Sequence, residues 1–197
     1  MIVFSVRKNG IWMMNDRIAI KEVVPMFQEI SYEMLEMNPF TAIGKDGFLI
    51  TAGSEEHWNT MTASWGALGV LWGKPVMLIF VRDSRYTYEF IENTEGFTCS
   101  FFGPDMDAAL AYCGAHSGRD GDKTVATGLS PVTIEGPDGT ERITFDQANL
   151  VFSCSKASRM PVDSQQFVLP EEIERHYPEK DYHVLYVGFI DRILAKE

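Results

Sequence analysis

The chain has 197 residues, of which 45% are apolar and 23% are charged, and its formal net charge is −11 at pH 7. These proportions are typical of one globular domain with a sizeable core. A surface this acidic repels phosphate groups, so we expect neither nucleic acid nor an anionic membrane as a partner.

The cysteines and the apolar runs exclude several other classes. Cys99, Cys113 and Cys154 are far apart and have no metal-ligand spacing, which predicts reduced, buried thiols rather than a disulfide framework or a zinc site. No apolar run approaches the roughly 20 residues of a membrane helix. Residues 1–14 make a poor signal peptide, and we interpret them as an extension, or the product of an early start codon, in a single domain spanning 1–197. We expect a cytoplasmic protein.

The first third of the chain carries one helical period and several turn signals. Apolar spacing predicts a helix within 23–37. An Asp-Gly turn predicts a hairpin over 42–51, and a strand follows over 57–64. The glycine-rich stretch 66–73 is typical of a loop, and the β-branched run 75–81 of a buried strand.

Short strands and helices alternate over the remainder. Helices are predicted over 86–93, 105–113 and 123–127, and strands over 97–102, 132–134, 142–145, 149–155 and 183–194, with an irregular or weakly helical stretch over 158–177. This pattern predicts a mainly β fold with short helices, a closed or partly closed barrel rather than a doubly wound sheet. No strand is followed by G-x-G-x-x-G, so there is no Rossmann fingerprint.

Most of the residues whose side chains suit ligand binding lie between residues 59 and 87. Hydroxyl side chains and closely spaced backbone N–H groups in 59–65 suit a planar ligand with carbonyl oxygens and ring nitrogens, and Trp65 would cover its ring. Arg82 and Arg85 flank Ser84 at a strand end, which suits a phosphate, and a helix beginning near Tyr86 would add N–H groups. The stretch predicts a phosphorylated aromatic heterocycle as ligand.

The same stretch resembles the flavin reductase-like proteins with an FMN-binding split β-barrel, in particular the flavoredoxin-like branch. The matching segments are N-T-M-T-A-S-W-G at 59–66, 69–75, 81–82, R-Y-T at 85–87, S-G-R-D at 117–120 with Asp122 and Lys123, 128–129, and His183 with Tyr186 and Gly188. The resemblance spans about 27–193. It implies that FMN is the cofactor.

The resemblance also implies roles for individual residues. The candidates for FMN binding are Asn59, Thr60, Met61, Thr62, Ala63, Ser64 and Trp65 for the ring and ribityl chain, then Arg82, Ser84, Arg85, Tyr86 and Thr87 around the phosphate, and Lys123. For Lys123 a surface position in an acidic loop stays an alternative. Asp83 replaces a proline common in relatives, so either it points away from the phosphate or the local geometry differs. His183 is the candidate contact for a nicotinamide, with a purely structural hydrogen bond as the alternative. No metal site is expected.

The sequence leaves the electron donor and the electron acceptor open. The first hypothesis is an NAD(P)H-dependent flavin reductase-like oxidoreductase, which passes electrons to free flavin, ferric iron or a protein. The alternative is a flavoredoxin-like electron carrier reduced by a protein partner, and a third is an FMN-binding module without turnover. Relatives complete the pocket with a second subunit, so a homodimer is expected, with Trp72 and the 66–73 stretch offering apolar surface.

Overall fold

The computed structural model describes residues 6–8, 11–13, 27–137 and 139–196, and structural statements below refer to these residues. The strands are β1 (Val6–Lys8), β2 (Ile11–Met13), β3 (Phe27–Ile30), β4 (Phe48–Gly53), β5 (Trp58–Ala63), β6 (Gly66–Leu71), β7 (Lys74–Arg82), β8 (Gly96–Phe101), β9 (Pro131–Glu135), β10 (Glu141–Phe145), β11 (Leu150–Pro161) and β12 (His183–Lys196). The helices are α1 (Pro39–Thr41), continued by a π-helical turn (Ala42–Asp46), α2 (Tyr86–Glu92), α3 (Asp107–Ala115), α4 (Lys123–Thr127) and α5 (Pro170–His176). The predicted mainly β fold with short helices is confirmed.

One antiparallel sheet carries most of the chain. Its strand order is β5-β4-β8-β11-β12-β7-β6, and β3 pairs with the far end of β12. The long β12 therefore lies against β11 along one side and against β7 and then β3 along the other. The hairpins β1–β2 and β9–β10 pair separately. This order brings the end of β7 beside the start of β12.

The core fills both faces of β4, whose six residues are all buried. The main apolar cluster includes Phe48, Ile50, Met77, Ile79, Phe97, Phe152 and Tyr186. A second cluster lies under α3 and comprises Leu49, Ala109, Leu110, Cys113, Leu129 and Phe145. Such burial contributes about 25 cal/mol per Å² of apolar surface. The three cysteines are free and buried, as predicted.

Two predictions for the first third of the chain are wrong. Where described, the predicted helix over 23–37 is strand β3 followed by a 3₁₀ turn (Tyr32–Met34), because the end of β12 offers backbone partners that local spacing cannot reveal. Residues 14–26 lie outside the described part. The predicted hairpin over 42–51 is a helical segment whose cap is Asn38, after which β4 pairs with β5.

The predicted loop over 66–73 is strand β6, paired along its length with β7. Gly66 allows this pairing, since a Cβ at that position would lie 2.8 Å from the Leu78 carbonyl oxygen. Trp72 and Gly73 close the hairpin with φ of 51° and 73°, the left-handed values that a tight two-residue turn requires.

The remaining elements follow the prediction closely. The strand predicted over 75–81 and the helices predicted over 86–93, 105–113 and 123–127 are present within a few residues. The irregular stretch 158–177 is more regular than expected, since β11 continues to Pro161 opposite β12 and α5 follows. Within the described part, no helix is both long and apolar enough to span a membrane. The interpretation of 1–14 as an extension mostly concerns residues outside that part, and the single domain stays a prediction.

Candidate functional site

A cleft lies where β5, the end of β7, the start of β12 and the 114–123 segment meet. It has two hollows, of about 300 Å³ and about 280 Å³, that share Met61 and Arg85. We call the first the aromatic half; it is lined by Met61, Thr62, Ala63, Ser64, Trp65, Phe80, Arg82, Arg85, Gly114 and His183. We call the second the cationic half; it is lined by Asn59, Met61, Ser84, Arg85, Tyr86, Thr87, Ala115, His116, Ser117, Gly118, Arg119 and Lys123.

The aromatic half has a wall of rings that meet in tilted and edge-on arrangements. The Trp65 ring, 38% exposed, lies 4.9 Å from the His183 ring, measured between centroids. The Phe80 ring meets His183 edge-on at 6.3 Å. Flat apolar surface beside the polar backbone of a strand end is suited to a planar heterocycle.

His183 lies in this wall as a neutral ring. Its Nδ1 is 2.9 Å from the Tyr177 hydroxyl, and it pairs in register with Arg82 on the adjacent strand. Burial, reinforced by the Arg82 charge and opposed by Asp181, lowers the pKa of His183 to about 4. His183 therefore makes the hydrogen bond that a purely structural role would require, and its ring also lines the cleft.

The pKa of His183 predicts a pH dependence of stability. Between about pH 6.5 and pH 4 the unfolded chain protonates this histidine and the folded chain does not, so the free energy of unfolding falls as pH decreases through that window. We expect His183→Gln to lose less stability than wild type between pH 7 and pH 5. Urea unfolding of both proteins at the two pH values checks this, and parallel losses would contradict it.

Arg82 makes an ion pair, a hydrogen bond and a ring contact at the aromatic half. Its guanidinium forms an ion pair with Asp181 at 2.6 Å and donates to the His176 carbonyl oxygen at 2.9 Å. It also lies over the Tyr177 ring, 5.3 Å from the centroid. The hydrogen bond from Arg82 lowers the pKa of Asp181. Arg82 thus fastens the 176–182 segment beside the cleft, apart from the half that Ser84 and Thr87 line.

The cationic half contains two positive charges without a carboxylate partner among the described residues. Arg85 donates to the Gly114 carbonyl oxygen at 2.9 Å. Lys123 donates to the carbonyl oxygens of Thr60 and Cys113 at 2.7 and 3.1 Å. Burial lowers the pKa of both groups, and for Arg85 the nearby Arg82 lowers it further. Lys123 is 6% exposed, so its alternative reading as a surface lysine is wrong.

A buried hydrogen bond joins the two motifs of the sequence. Asn59 Nδ2 donates to Thr87 Oγ1 at 2.8 Å, which leaves the Thr87 hydroxyl hydrogen available to a ligand. Gly118 closes over this pair: a Cβ at that position would lie 2.1 Å from Asn59 Oδ1. Only glycine therefore allows the 117–119 loop to approach so closely.

Arg119 closes the outer side of the cationic half. Its guanidinium lies 4.5 Å from the centroid of the Tyr86 ring and forms an ion pair with Glu89. The Ser117 hydroxyl accepts a hydrogen bond from the Arg119 backbone N–H. The S-G-R-D motif at 117–120 was the sequence signal for this wall, although no role for Ser117, Gly118 or Arg119 was predicted from it.

All but one of the sequence candidates line the cleft. The exception is Thr60, whose hydroxyl bonds with Thr51 at 2.9 Å and with the Ile50 carbonyl oxygen at 3.1 Å, because alternate residues of β5 face opposite sides. Thr60 contributes only its carbonyl oxygen, to Lys123. Asp83 is exposed and lines neither half, as expected. The described residues contain no group of histidine, cysteine or carboxylate side chains that could hold a metal ion.

The structure is a mainly β protein whose cleft combines an aromatic wall with two cations, Arg85 and Lys123, that have no carboxylate partner among the described residues. Residues 43–193 match the model of the flavin reductase like domain. The chain belongs to this family. A search of curated proteins found no significant match.

Solved structures give the same fold. Flavoredoxin from Methanosarcina acetivorans is 22% identical, with a TM-score of 0.58 over 77% of this chain and 69% of that one. An FMN-binding domain of a flavin reductases-like enzyme from Shewanella baltica is 15% identical, with a TM-score of 0.60 over 86% and 77%. A flavin reductase with a split barrel domain from Shewanella frigidimarina, described as putative, is 16% identical, with a TM-score of 0.59 over 84% and 76%. The predicted split-barrel fold is confirmed.

Proposed function

We propose that the chain binds FMN, with the isoalloxazine ring in the aromatic half of the cleft and the phosphate in the cationic half. The observation that carries this proposal is the pair of cations, Arg85 and Lys123, that no described carboxylate neutralises. A buried positive charge without a counter-ion is costly, and a dianionic phosphate would compensate both. The structural neighbours described as flavoredoxin and as FMN-binding support the same cofactor.

The residues present fit such a ligand in size and in donor chemistry. The two hollows, of about 300 and about 280 Å³, together fall within the range of small-molecule sites, about 300–1,000 Å³. The cationic half offers the hydroxyls of Ser84, Thr87 and Ser117 beside the two cations. The aromatic half offers the backbone of 62–65 beside Trp65.

The geometry favours Arg85 over Arg82 as the main phosphate ligand. Arg85 lines both halves, whereas Arg82 lines only the aromatic half and already pairs with Asp181. We assign the phosphate to Ser84, Arg85, Thr87 and Lys123, with Arg119 at the rim. Asn59 positions Thr87, and Tyr86 supports Arg119. Residues 61–65 contact the ring.

FMN, when bound, supplies hydride and single-electron transfer, while the protein binds and orients it. We propose an NAD(P)H-dependent oxidoreductase, with neutral His183 as a hydrogen-bonding contact for the nicotinamide in the open aromatic half. A flavoredoxin-like carrier reduced by a protein partner is the second candidate, favoured by the flavoredoxin fold neighbour. Cytoplasmic location is part of the proposal.

One experiment separates the two candidates. The FMN-loaded protein is mixed anaerobically with NADH or with NADPH, and the flavin absorbance is followed. The oxidoreductase proposal expects bleaching with at least one nicotinamide. Bleaching by a reduced electron-transfer protein but by neither nicotinamide would favour the carrier. Bleaching by photoreduction alone would favour an FMN-binding module without turnover.

We further propose a homodimer. Trp72 and Val70, at the end of the β6–β7 hairpin, are 74% and 75% exposed, and Trp72 lies 6.1 Å from the Phe189 ring. Within the described residues β6 pairs only with β7, so its outer edge is free to meet another chain. Light scattering should give twice the 22.2 kDa chain mass, and Trp72→Glu should shift it toward one chain. A wild-type mass near one chain, with FMN bound, would contradict the homodimer.

A further inference from the structure

A third hollow of about 500 Å³ opens beside the aromatic half, between the helical segment 39–46 and β6. We call it the apolar cavity. Its lining residues are Pro39, Phe40, Ile43, Gly44, Ser64, Trp65, Gly66, Ala67, Leu68 and Phe80. Ser64, Trp65 and Phe80 also line the aromatic half, so the two hollows share a wall. A molecule in the apolar cavity would lie next to the ring site.

The chemistry of the apolar cavity differs from that of the cleft. None of its lining residues is charged or titratable. A charged ligand such as a ferric chelate would lose hydration there without gaining a counter-ion. The shared wall has two hydrogen-bond donors, the Trp65 indole N–H and the Ser64 hydroxyl. The Ser64 hydroxyl has no hydrogen-bond partner among the described residues and is free to donate to a carbonyl oxygen.

We propose that the apolar cavity binds a neutral, planar, hydrophobic carbonyl compound of the quinone class as the electron acceptor. This inference rests on the proposed function. The quinone gains two electrons and two protons and leaves as a hydroquinone; both electrons come from the reduced flavin, and the protons come from the flavin and water. Aromatic walls from Phe40, Trp65 and Phe80 would hold its ring, and Ser64 would orient one carbonyl.

Glycine positions give a matched pair of variants. A Cβ on Gly44 would meet nothing within 4 Å, and this glycine lines the cavity, so Gly44→Leu adds apolar volume at the cavity wall without a clash at Cβ. Gly69 on β6 is equally open but lies outside the cavity, so Gly69→Leu is the control, with its mass compared with wild type by light scattering because β6 is the proposed dimer edge. Ala67→Glu, at an exposed lining position, introduces a charge instead of volume.

The test uses menadione as the probe. Equilibrium dialysis measures its binding to the apoprotein and to the FMN-loaded protein. Anaerobic stopped flow measures how fast menadione or ferricyanide reoxidises photoreduced FMN. We expect Gly44→Leu and Ala67→Glu to weaken menadione binding and to slow its reaction at least tenfold, with FMN affinity unchanged. The ferricyanide rate should stay unchanged in Gly44→Leu, which adds no charge. Gly69→Leu should match wild type.

Three results would overturn the inference. The first is that Gly44→Leu and Ala67→Glu bind menadione as well as wild type does. The second is that Gly69→Leu loses as much menadione binding as they do. The third is that wild type binds no menadione, as when a second copy of the chain covers the cavity. Dialysis of the apoprotein does not depend on the flavin. If FMN fails to bind but Gly44→Leu still abolishes menadione binding, the proposed function fails and the cavity assignment stands.

Discussion

Replacing Arg85 by alanine is expected to weaken FMN binding by roughly 10- to 100-fold and to leave riboflavin binding nearly unchanged. Arg85 lines both halves of the cleft and lies beside Ser84 and Thr87 in the cationic half. A charge-assisted hydrogen bond to a phosphate contributes about 1.5–3 kcal/mol, and each 1.4 kcal/mol is tenfold in affinity. Riboflavin lacks the phosphate. Titration of both ligands by quenching of flavin fluorescence measures the difference.

Arg82→Ala is the matched control, because it removes the same side chain three residues earlier. Arg82 holds Asp181 and the His176 carbonyl oxygen at the aromatic half, so its loss should weaken FMN and riboflavin by similar factors. If Arg82→Ala is the variant that discriminates between the ligands, the phosphate lies at Arg82, as the sequence alone predicted. Equal weakening of both ligands by Arg85→Ala would also contradict the assignment.

His183→Ala is expected to retain FMN and to raise the Michaelis constant for the nicotinamide about 2- to 10-fold, with a smaller decrease in turnover. The neutral ring borders the open aromatic half, and a lost neutral hydrogen bond costs about 0.5–1.5 kcal/mol. A contact made equally in the ground and transition states changes mainly the Michaelis constant. Steady-state kinetics and stopped-flow reduction of the loaded protein measure both.

Tyr177→Phe tests whether the hydrogen bond between Tyr177 and His183 orients the histidine ring for its contact with the nicotinamide. The variant keeps the aromatic ring but removes the hydroxyl 2.9 Å from His183 Nδ1, so a smaller rise in the Michaelis constant is expected. Loss of FMN from His183→Ala would place the histidine in the cofactor site instead. If neither nicotinamide reduces the wild-type protein, the electron carrier replaces the oxidoreductase as the proposed function.

Local patterns predicted the elements that present the site. The β-branched run of β7, the short helix α2 and the helix α4 ended by Gly128 depend on residues close in sequence. The hydroxyl-rich run of β5 and the R-Y-T segment, both of which line the cleft, were likewise predicted from residues close in sequence. The resemblance to a family then united these segments into one site.

Long-range pairing accounts for most of what the sequence could not predict. Strand β3 forms because β12 accepts it, as the ion pair between Glu29 and Arg192, 163 residues apart, illustrates. The ion pair between Arg82 and Asp181, 99 residues apart, likewise could not be recognised from spacing. The burial of Lys123 depends in the same way on carbonyl groups of a distant strand.

A crystal structure of the chain with FMN would show directly where the phosphate binds. We expect phosphate oxygens within hydrogen-bond distance, about 2.7–3.2 Å, of Arg85 and Lys123. We also expect the isoalloxazine ring beside Trp65, in the hollow that His183 and Phe80 line. A phosphate bound at Arg82, or a ring in the cationic half, would contradict this assignment.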